Sequence, residues 1–442
     1  MLIIEIPPGA KRILDSLKRA GYKAYIVGGC VRDCLMGKIP KDWDICTDAT
    51  PDEMMNVFED EKIVATGLKH GTITICICDD SYEVTTFRDD GIYSDNRRPD
   101  TVSFIKSLAE DLARRDFTIN AMAYNEDEGL IDLYGGKDDL SHKTIRCVGD
   151  PNKRFGEDAL RMFRALRFAS RMGFKIDSET TTAIHANKHL LANISAERIL
   201  KEMNWILTGC GTEGILMDFS DVVCEIIPEL RCCIGFEQNN PYHIYDVYTH
   251  SVKALSYATS LEKRWALLLH DIGKPHCYSE KDGVGHFYGH PKKSREIAEV
   301  VLDRLKMNNK SKATILALVA YHDIQINRGE KALKRALNKF GESLFRQLLT
   351  VIAADVRAQS HKGVERMIIA RELWLLMDAI LPTKPCFSLR DLKINGEDIL
   401  EMGVPEGPRV GEVLRAVLND VIEGRVENNK ELLLNQAKKY IH

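Results

Sequence analysis

AYIVGGCVRDCLMGKIPKDWDICT, residues 24–47, decides the reading of this chain. A short apolar run ends at Val27, a Gly28-Gly29 pair follows, a helical segment opens with Val31-Arg32-Asp33, and a second short strand carries Asp42 and Asp44. Glycine lets the backbone turn tightly and approach a ligand closely. A helix opening there aims unpaired N–H groups at the same spot, which makes a phosphate cradle. Arg32 can add a bidentate grip on phosphate oxygens. Residues two apart on a strand share a face, so Asp42 and Asp44 are expected to project together. Two carboxylates beside a phosphate cradle suit a divalent cation such as Mg²⁺. The competing reading, a glycine turn with two solvated aspartates, would stand if the glycines were alone. It loses ground when cradle, arginine and Asp-x-Asp come in this order.

Outward from this stretch, the residues before Tyr22 read as an amphipathic helix, and Thr50-Pro51 starts another, with proline at an early helical position. Strand-like runs occupy residues 62–65, 71–78 and 82–87, with a hairpin at Asp79-Asp80. On the last strand Glu83, Thr85 and Phe87 share a face, which makes Glu83 a candidate third carboxylate beside Asp42 and Asp44. A lone strand glutamate is ordinarily solvated. Residues 88–99, RDDGIYSDNRRP, are polar and charged and read as a mobile loop. Residues 111–124, DLARRDFTINAMAY, are expected to form a helix with Arg114-Arg115 near its start. The α/β pattern closes near residue 145.

The chain has 442 residues, a soft prior of about three domains. Its 44% apolar and 29% charged residues are ordinary for a soluble globular protein with ample core. A net charge of −4 does not announce a nucleic-acid binder, so any such partner must be held by local basic patches. Twelve scattered cysteines without a CxxC pair, and an opening without a basic leader, point to a reducing, cytoplasmic compartment. No apolar run approaches a membrane span.

From Gly156 onward helical patterns dominate. In residues 157–172, EDALRMFRALRFASRM, Asp158 and Arg161 lie at i,i+3, and Arg164 and Arg167 continue the spacing. One reading is a solvated basic face with an internal ion pair. The other concerns bases. A carboxylate accepts from an exocyclic amine and a guanidinium donates to the ring nitrogen beside it. Cytosine and adenine offer that pattern on the Watson–Crick edge, whereas guanine and uracil offer a carbonyl and an N–H. One Asp–Arg pair therefore accepts C and A and refuses G and U.

Seven of the thirteen histidines (243, 250, 270, 276, 286, 290, 322) crowd into residues 243–322, where an even spread would place roughly two. Among them RWALLLHDIGKP is an apolar helix ending in His270-Asp271. A charged pair on an apolar helix needs a partner, which a divalent metal supplies, with His250, His290, His322 and Asp355 as candidate co-ligands. A single histidine here would more often be a satisfied core residue. Mixed imidazole and carboxylate ligands fit several transition metals without choosing among them. Further helices are expected over residues 363–381, 410–423 and 429–441. No internal repeat or low-complexity tract is present.

Taken together, GGCVRD at 28–33, DWD at 42–44, TGLKHGT at 66–72, YEVTTFR at 82–88, YSDNRRPD at 93–100, RRDFTINA at 114–121, IDLYGG at 131–136, EDALRMFRALRFA at 157–169 and SAERILKE at 195–202 resemble the bacterial class II tRNA nucleotidyltransferases, the CCA-adding enzymes of the poly(A) polymerase family, of the kind fused to an HD domain. The resemblance covers essentially the whole chain. It implies an α+β fold: a nucleotidyltransferase head with a mixed sheet at 1–145, then an all-α neck at 146–235 that binds the base and tRNA, an HD domain at 236–362, and a helical, tRNA-binding tail at 363–442. It implies Asp42 and Asp44 as Mg²⁺ ligands, Glu83 as the third catalytic acid, and Gly28, Gly29, Arg32 and Arg115 as triphosphate and sugar contacts. Asp158 and Arg161 become the protein template for the incoming base, supported by Arg164 and Arg167. His250, His270, Asp271, His322 and Asp355 become an HD phosphohydrolase set, with His290 as an added ligand of a second divalent transition metal.

The function implied is template-independent addition of C, C and A to tRNA 3′ ends from CTP and ATP by two-metal nucleotidyl transfer. Three alternatives stand beside it: a CC- or A-adding or poly(A) polymerase relative, a protein that is mainly an HD phosphohydrolase, and a non-catalytic tRNA-binding protein. The intact Asp-x-Asp argues against the last, and the resemblance of the 88–99 loop to that of complete CCA-adders argues against a CC-adder. The sequence is silent on oligomeric state.

Overall fold

The structure, a computed structural model, describes residues 4–77, 80–91 and 102–441. The chain forms two compact units, Met1–Pro228 and Glu229–His442.

The first unit begins with α1 (Pro8–Arg19), β1 (Ala24–Val27), α2 (Gly29–Leu35), β2 (Asp44–Thr47), α3 (Pro51–Val57), β3 (Lys62–Gly67), β4 (Thr72–Ile77) and β5 (Asp80–Thr86). It continues with β6 (Arg88–Asp90), β7 (Val102–Phe104), α4 (Leu108–Ala113), β8 (Met122–Asn125) and β9 (Gly129–Asp132). Seven of these strands make one sheet in the order β3-β4-β5-β2-β1-β8-β9. β2 and β5 run parallel and the other pairs antiparallel, so the sheet is mixed as expected.

Alternation along the strands sends side chains to two buried faces. Ile26, Ile45, Ile73, Ile75 and Val84 pack with Ile13 and Leu17 of α1 and Met54 of α3. Tyr25, Val27, Cys46 and Ala123 pack on the other side with Phe87 and Leu112. α3 is fixed at its start by a capping box in which Thr50 and Glu53 satisfy each other's backbone N–H groups. Helices α5 (Gly136–Ser141), α6 (Pro151–Glu157), α7 (Leu160–Met172), α8 (Ser178–Asn187) and α9 (Ala196–Leu207) complete the elements needed for the site.

Four local expectations change. Residues 111–124 are not one helix: α4 ends at Ala113, a 3₁₀ turn spans Thr118–Asn120, and Met122–Asn125 is a strand paired with both β1 and β9. A short apolar run fits a buried strand as well as a helix, and the sheet decides. Asp42 lies in a bend before β2, which begins at Asp44, so the two carboxylates do not share one strand. The helix expected over 157–172 is broken. Asp158 is extended (φ −133°, ψ 102°), and its Oδ1 accepts from the Leu160 backbone N–H at 3.1 Å, which restarts the helix as α7. Residues 88–90 of the expected loop pair with 102–104 as a two-stranded ribbon, while 92–101 lie outside the described residues.

The second unit is helical apart from a hairpin of Ser279–Lys281 and Val284–His286. Its helices include Val247–Ser256, Leu261–Leu269, His290–Arg304, Asn309–Tyr321 and Glu330–Arg357, the last kinked at Gly341, whose φ of 70° lies in the left-handed region. Val364–Ile380, Pro408–Ile422 and Lys430–Ile441 follow close to the expected ranges. Trp265, Leu267 and Leu268 are fully buried, and a separate apolar cluster, including Ile399, Val417 and Leu433, holds the last helices together. No helix among the described residues is long and apolar enough to cross a membrane.

Candidate active site and metal centre

In the first unit a cavity of about 650 Å³ opens where β1 passes into α2. Gly28, Gly29, Arg32, Asp42, Asp44 and Arg115 line one part of it. Asp158, Arg161, Arg164, Arg167 and Phe168 line another, with Arg114, Asp116 and Asn120 completing the wall. Every candidate for the first site except Glu83 therefore faces one cavity. Glu83 stands beside it, the register partner of Asp44 on the adjacent parallel strand.

Gly28 takes φ +80°, and a Cβ there would lie 3.2 Å from Arg115 Nη1. The glycine thus permits both the turn and the close approach of that guanidinium. Arg115 and Arg114 share Asp111, a buried carboxylate, at 3.0 and 2.6 Å. This fork holds Arg115 against the glycine turn. Burial, then the charge of Glu83 and that of Asp42, push the Asp44 carboxyl above its ordinary value, and Arg115 offsets part of the effect. Mutually repelling carboxylates are relieved by a cation, so this oxygen set fits a divalent metal.

At the other end the structure ties the arginines down. Arg161 donates to Glu157 Oε2 (2.7 Å) and to the carbonyls of Arg114 (3.0 Å) and Arg154 (3.2 Å). Asp158 faces Arg198 at 3.5 Å; Asp158 and Arg161 line the same cavity and are joined by the Arg161 backbone N–H, which donates to the Asp158 carbonyl at 3.0 Å, while their side chains pair with Arg198 and Glu157. Arg167 pairs with Glu202 at 3.0 Å. Arg164 donates through Nε to Asp116 Oδ2 at 2.8 Å. Burial alone would raise the Asp116 carboxyl, but the Arg164 guanidinium outweighs it and holds the group down at about 2.

A chain of contacts then crosses the cavity. Arg32 Nη1 donates to Asn120 Oδ1 (2.6 Å), and Asn120 Nδ2 donates to Asp116 Oδ1 (3.1 Å). Phe168 sits between three guanidiniums, with its ring centroid 4.4 Å from Arg167, 5.3 Å from Arg32 and 5.7 Å from Arg164. Sequence reasoning did not assign Asp116, Asn120, Phe168 or Arg198. The first two lie inside RRDFTINA and Arg198 inside SAERILKE, so those motifs carried the signal without the roles.

In the second unit five helices deliver six buried side chains to one point: His250, His270, Asp271, His290, His322 and Asp355. Each imidazole is anchored the same way. Nδ1 of His250, His270, His290 and His322 lies 3.3, 2.8, 2.9 and 2.8 Å from the carbonyls of Ala358, Leu267, Phe287 and Val319. A carbonyl only accepts, so each Nδ1 carries the proton and each Nε2 turns inward. His250, His270 and Asp271 form one group with metal-ligand spacing, and Asp271, His290 and His322 form another. Both oxygens of buried Asp271 lack a hydrogen bond of normal geometry, although Lys274 Nζ stands 2.7 Å from Oδ2. Converging lone pairs and orphaned carboxylate oxygens fit a bound cation. A cavity of about 620 Å³ leads to this cluster past Lys274, Lys362 and Arg366.

Comparison with known proteins agrees along the chain. Residues 24–146 match the Poly A polymerase head domain, 173–230 the probable RNA and SrmB-binding site of polymerase A, and 287–437 the putative tRNA nucleotidyltransferase domain 2. The CCA-adding enzyme of Geobacillus thermodenitrificans is 36% identical over 95% of this chain and 93% of its own. That of Geobacillus stearothermophilus is 37% identical over 95% and 93%. The crystal structure of the Bacillus stearothermophilus CCA-adding enzyme in complex with CTP superposes with a TM-score of 0.69 at 32% identity, covering 98% of both chains. The Thermotoga maritima CCA-adding enzyme complexed with tRNA shares the fold, with a TM-score of 0.63 at 19% identity over 98% of this chain and 94% of that one. The chain belongs to the CCA-adding enzyme family.

Proposed function

We propose that the chain is a template-independent RNA polymerase that adds C, C and A to the 3′ end of tRNA, using CTP and ATP, in the cytoplasm. The observation that carries the reading is that one cavity in the first unit gathers both groups of residues. Its carboxylates and glycine turn are suited to a triphosphate, and its arginines and Asp158 to a base edge, at a volume fit for one nucleotide. The 3′-hydroxyl oxygen of tRNA attacks the α-phosphorus in line, the bond to the β-phosphate oxygen breaks, and pyrophosphate leaves. Asp42 and Asp44 hold the cations, for which Mg²⁺ is the natural choice with oxygen ligands, and Glu83 adds a third negative charge beside Asp44. The bound metal supplies Lewis-acid stabilisation of the attacking and leaving oxygens. Arg32 and Arg115 take the phosphate oxygens, Gly28 and Gly29 allow their close approach, and Asp158 and Arg161 read the base with Arg164 and Arg167 in support. Asp42→Ala and Asp44→Ala each abolish nucleotide addition while tRNA binding, measured by filter retention, persists. Incorporation within a few-fold of wild type by either variant would overturn the assignment.

The anchored histidines favour a second activity. In this reading the HD cluster binds a divalent transition metal through His250, His270, Asp271 and Asp355, near His290 and His322, and hydrolyses a phosphoester such as a 2′,3′-cyclic phosphate on damaged tRNA. The domain ranges fit this division of labour: head 1–145, neck 146–235, HD domain 236–362 and tail 363–442, the neck and tail serving tRNA.

A further inference from the structure

We propose that Phe168 is a positioning residue that couples the two ends of the polymerase cavity, so that phosphates seated at one end sharpen the choice of base at the other. This rests on the reading of the cavity as a nucleotide site. Among the described residues, Phe168 is the only apolar side chain in a wall of carboxylates, guanidiniums and the Asn120 amide. Its ring gathers cations from both ends. Arg32, which that reading places on the phosphates, lies 5.3 Å from the ring centroid. Arg167 and Arg164, beside the base readers, lie 4.4 and 5.7 Å from it. An aromatic face attracts cations through its quadrupole. The ring itself is held by an edge-on contact with buried Phe117, with centroids 5.7 Å apart and planes at 81°.

Three positive charges around one ring oppose one another. Burial lowers the Arg167 pKa, and the charges of Arg164 and Arg32 press it further down against the pull of Glu202 and Asp116. Arg167 and Glu202 stand 3.0 Å apart, yet neither Arg167 Nε nor Glu202 Oε2 has an aligned hydrogen bond. The ring face is therefore what orients that guanidinium. Arg32, by contrast, is engaged along its whole fork. Its Nε and Nη2 donate to Asp33 Oδ1 at 2.9 and 2.7 Å, and its Nη1 donates to Asn120 Oδ1 at 2.6 Å. To grip a phosphate it exchanges these partners.

An arriving phosphate neutralises Arg32. Its repulsion of Arg164 and Arg167 falls, both settle on the ring, and the wall beside Asp158 and Arg161 firms. By linkage, a base that pairs well strengthens phosphate binding by the same factor. The competing route between the ends is the polar chain from Arg32 through Asn120 and Asp116 to Arg164. That chain ends at Arg164, whereas the ring meets all three guanidiniums.

Nucleotide binding to the full chain without tRNA tests this, because no nucleotide is consumed. Dissociation constants for CTP, UTP, CMP and UMP, by competition with labelled CTP, give the preference for C over U with and without the outer phosphates. In wild type that preference should be greater for the triphosphates by on the order of tenfold, the scale of a cation–π contact. Phe168→Leu keeps apolar bulk and loses the aromatic face, so it should bring the two preferences to one value. Phe168→Tyr keeps the ring and should restore the difference. A merely structural role would weaken all four nucleotides together. A difference that persists undiminished in Phe168→Leu would overturn the proposal. Equal preferences in wild type would overturn the coupling while sparing the nucleotide site, and no preference for CTP over UTP would overturn both. Should Phe168→Leu fail to fold by circular dichroism, Phe168→Met makes the same comparison.

Discussion

Replacing Asp116 by Asn removes one charge and keeps size and one acceptor. Asp116 is 8% exposed, and its carboxylate joins Arg164 to Asn120 and, through Asn120, to Arg32. Its pKa of about 2, against an ordinary 3.8, corresponds to about 2.5 kcal/mol of charge-dependent stabilisation at neutral pH. The Arg164 side chain is 35% exposed, so solvent screening trims the loss in the variant to about 2 kcal/mol. For a unit of this size that is a fall in melting temperature of roughly 4–8 °C.

The sign follows from the lowered pKa. The contribution is complete above the unfolded value and is lost as pH falls through the folded one, so the gap between wild type and Asp116→Asn should shrink to about half by pH 3. Arg164 released from Asp116 also loses its aim, and KM for CTP and ATP should rise on the order of tenfold, the equivalent of ~1.4 kcal/mol. Urea unfolding between pH 7 and pH 3, with steady-state kinetics at pH 7, measures both. A gap that does not change with pH, or a variant as stable as wild type with unchanged KM, would refute the idea that this ion pair orders the cavity.

Two further outcomes are expected. Asp158→Ala relaxes base choice, so that UTP and GTP compete better with CTP and ATP in single-turnover extension, because an acceptor for the exocyclic amine is lost; full discrimination with only a slower rate would put base reading elsewhere. His270→Ala combined with Asp271→Ala removes bound metal and cyclic-phosphate hydrolysis but leaves CCA addition nearly unchanged, as read by elemental analysis and paired activity assays; equal metal in both proteins would contradict the ligand set.

The strand–glycine–helix–strand order of residues 24–47 was legible because glycine and short apolar runs leave few alternatives. The histidine crowding was legible from residue type alone. Other features depended on context. Met122–Asn125 looks helical until β1 and β9 claim it on both sides. The break at Asp158 lies in a segment of strong helix formers, and it exists because a side-chain oxygen competes for the Leu160 N–H. The i,i+3 relation of Asp158 to Arg161 was therefore not a helix-face relation, although both reach the cavity. Asn120 and Asp116 gain their places only when the 3₁₀ turn brings them across from Arg32 and Arg164. The meeting of His250, His270, Asp271, His290, His322 and Asp355 at one point depends on five helices coming together, which no local pattern encodes.

The most direct measurement is extension of a tRNA transcript that ends at the discriminator base, supplied with one labelled nucleotide at a time. CTP alone should extend it by two residues, ATP alone should not extend it, and ATP after CTP should add one residue and stop. A long A tail, or addition of A to the unextended transcript, would contradict the account; two C residues with no A would reduce the chain to a CC-adding relative.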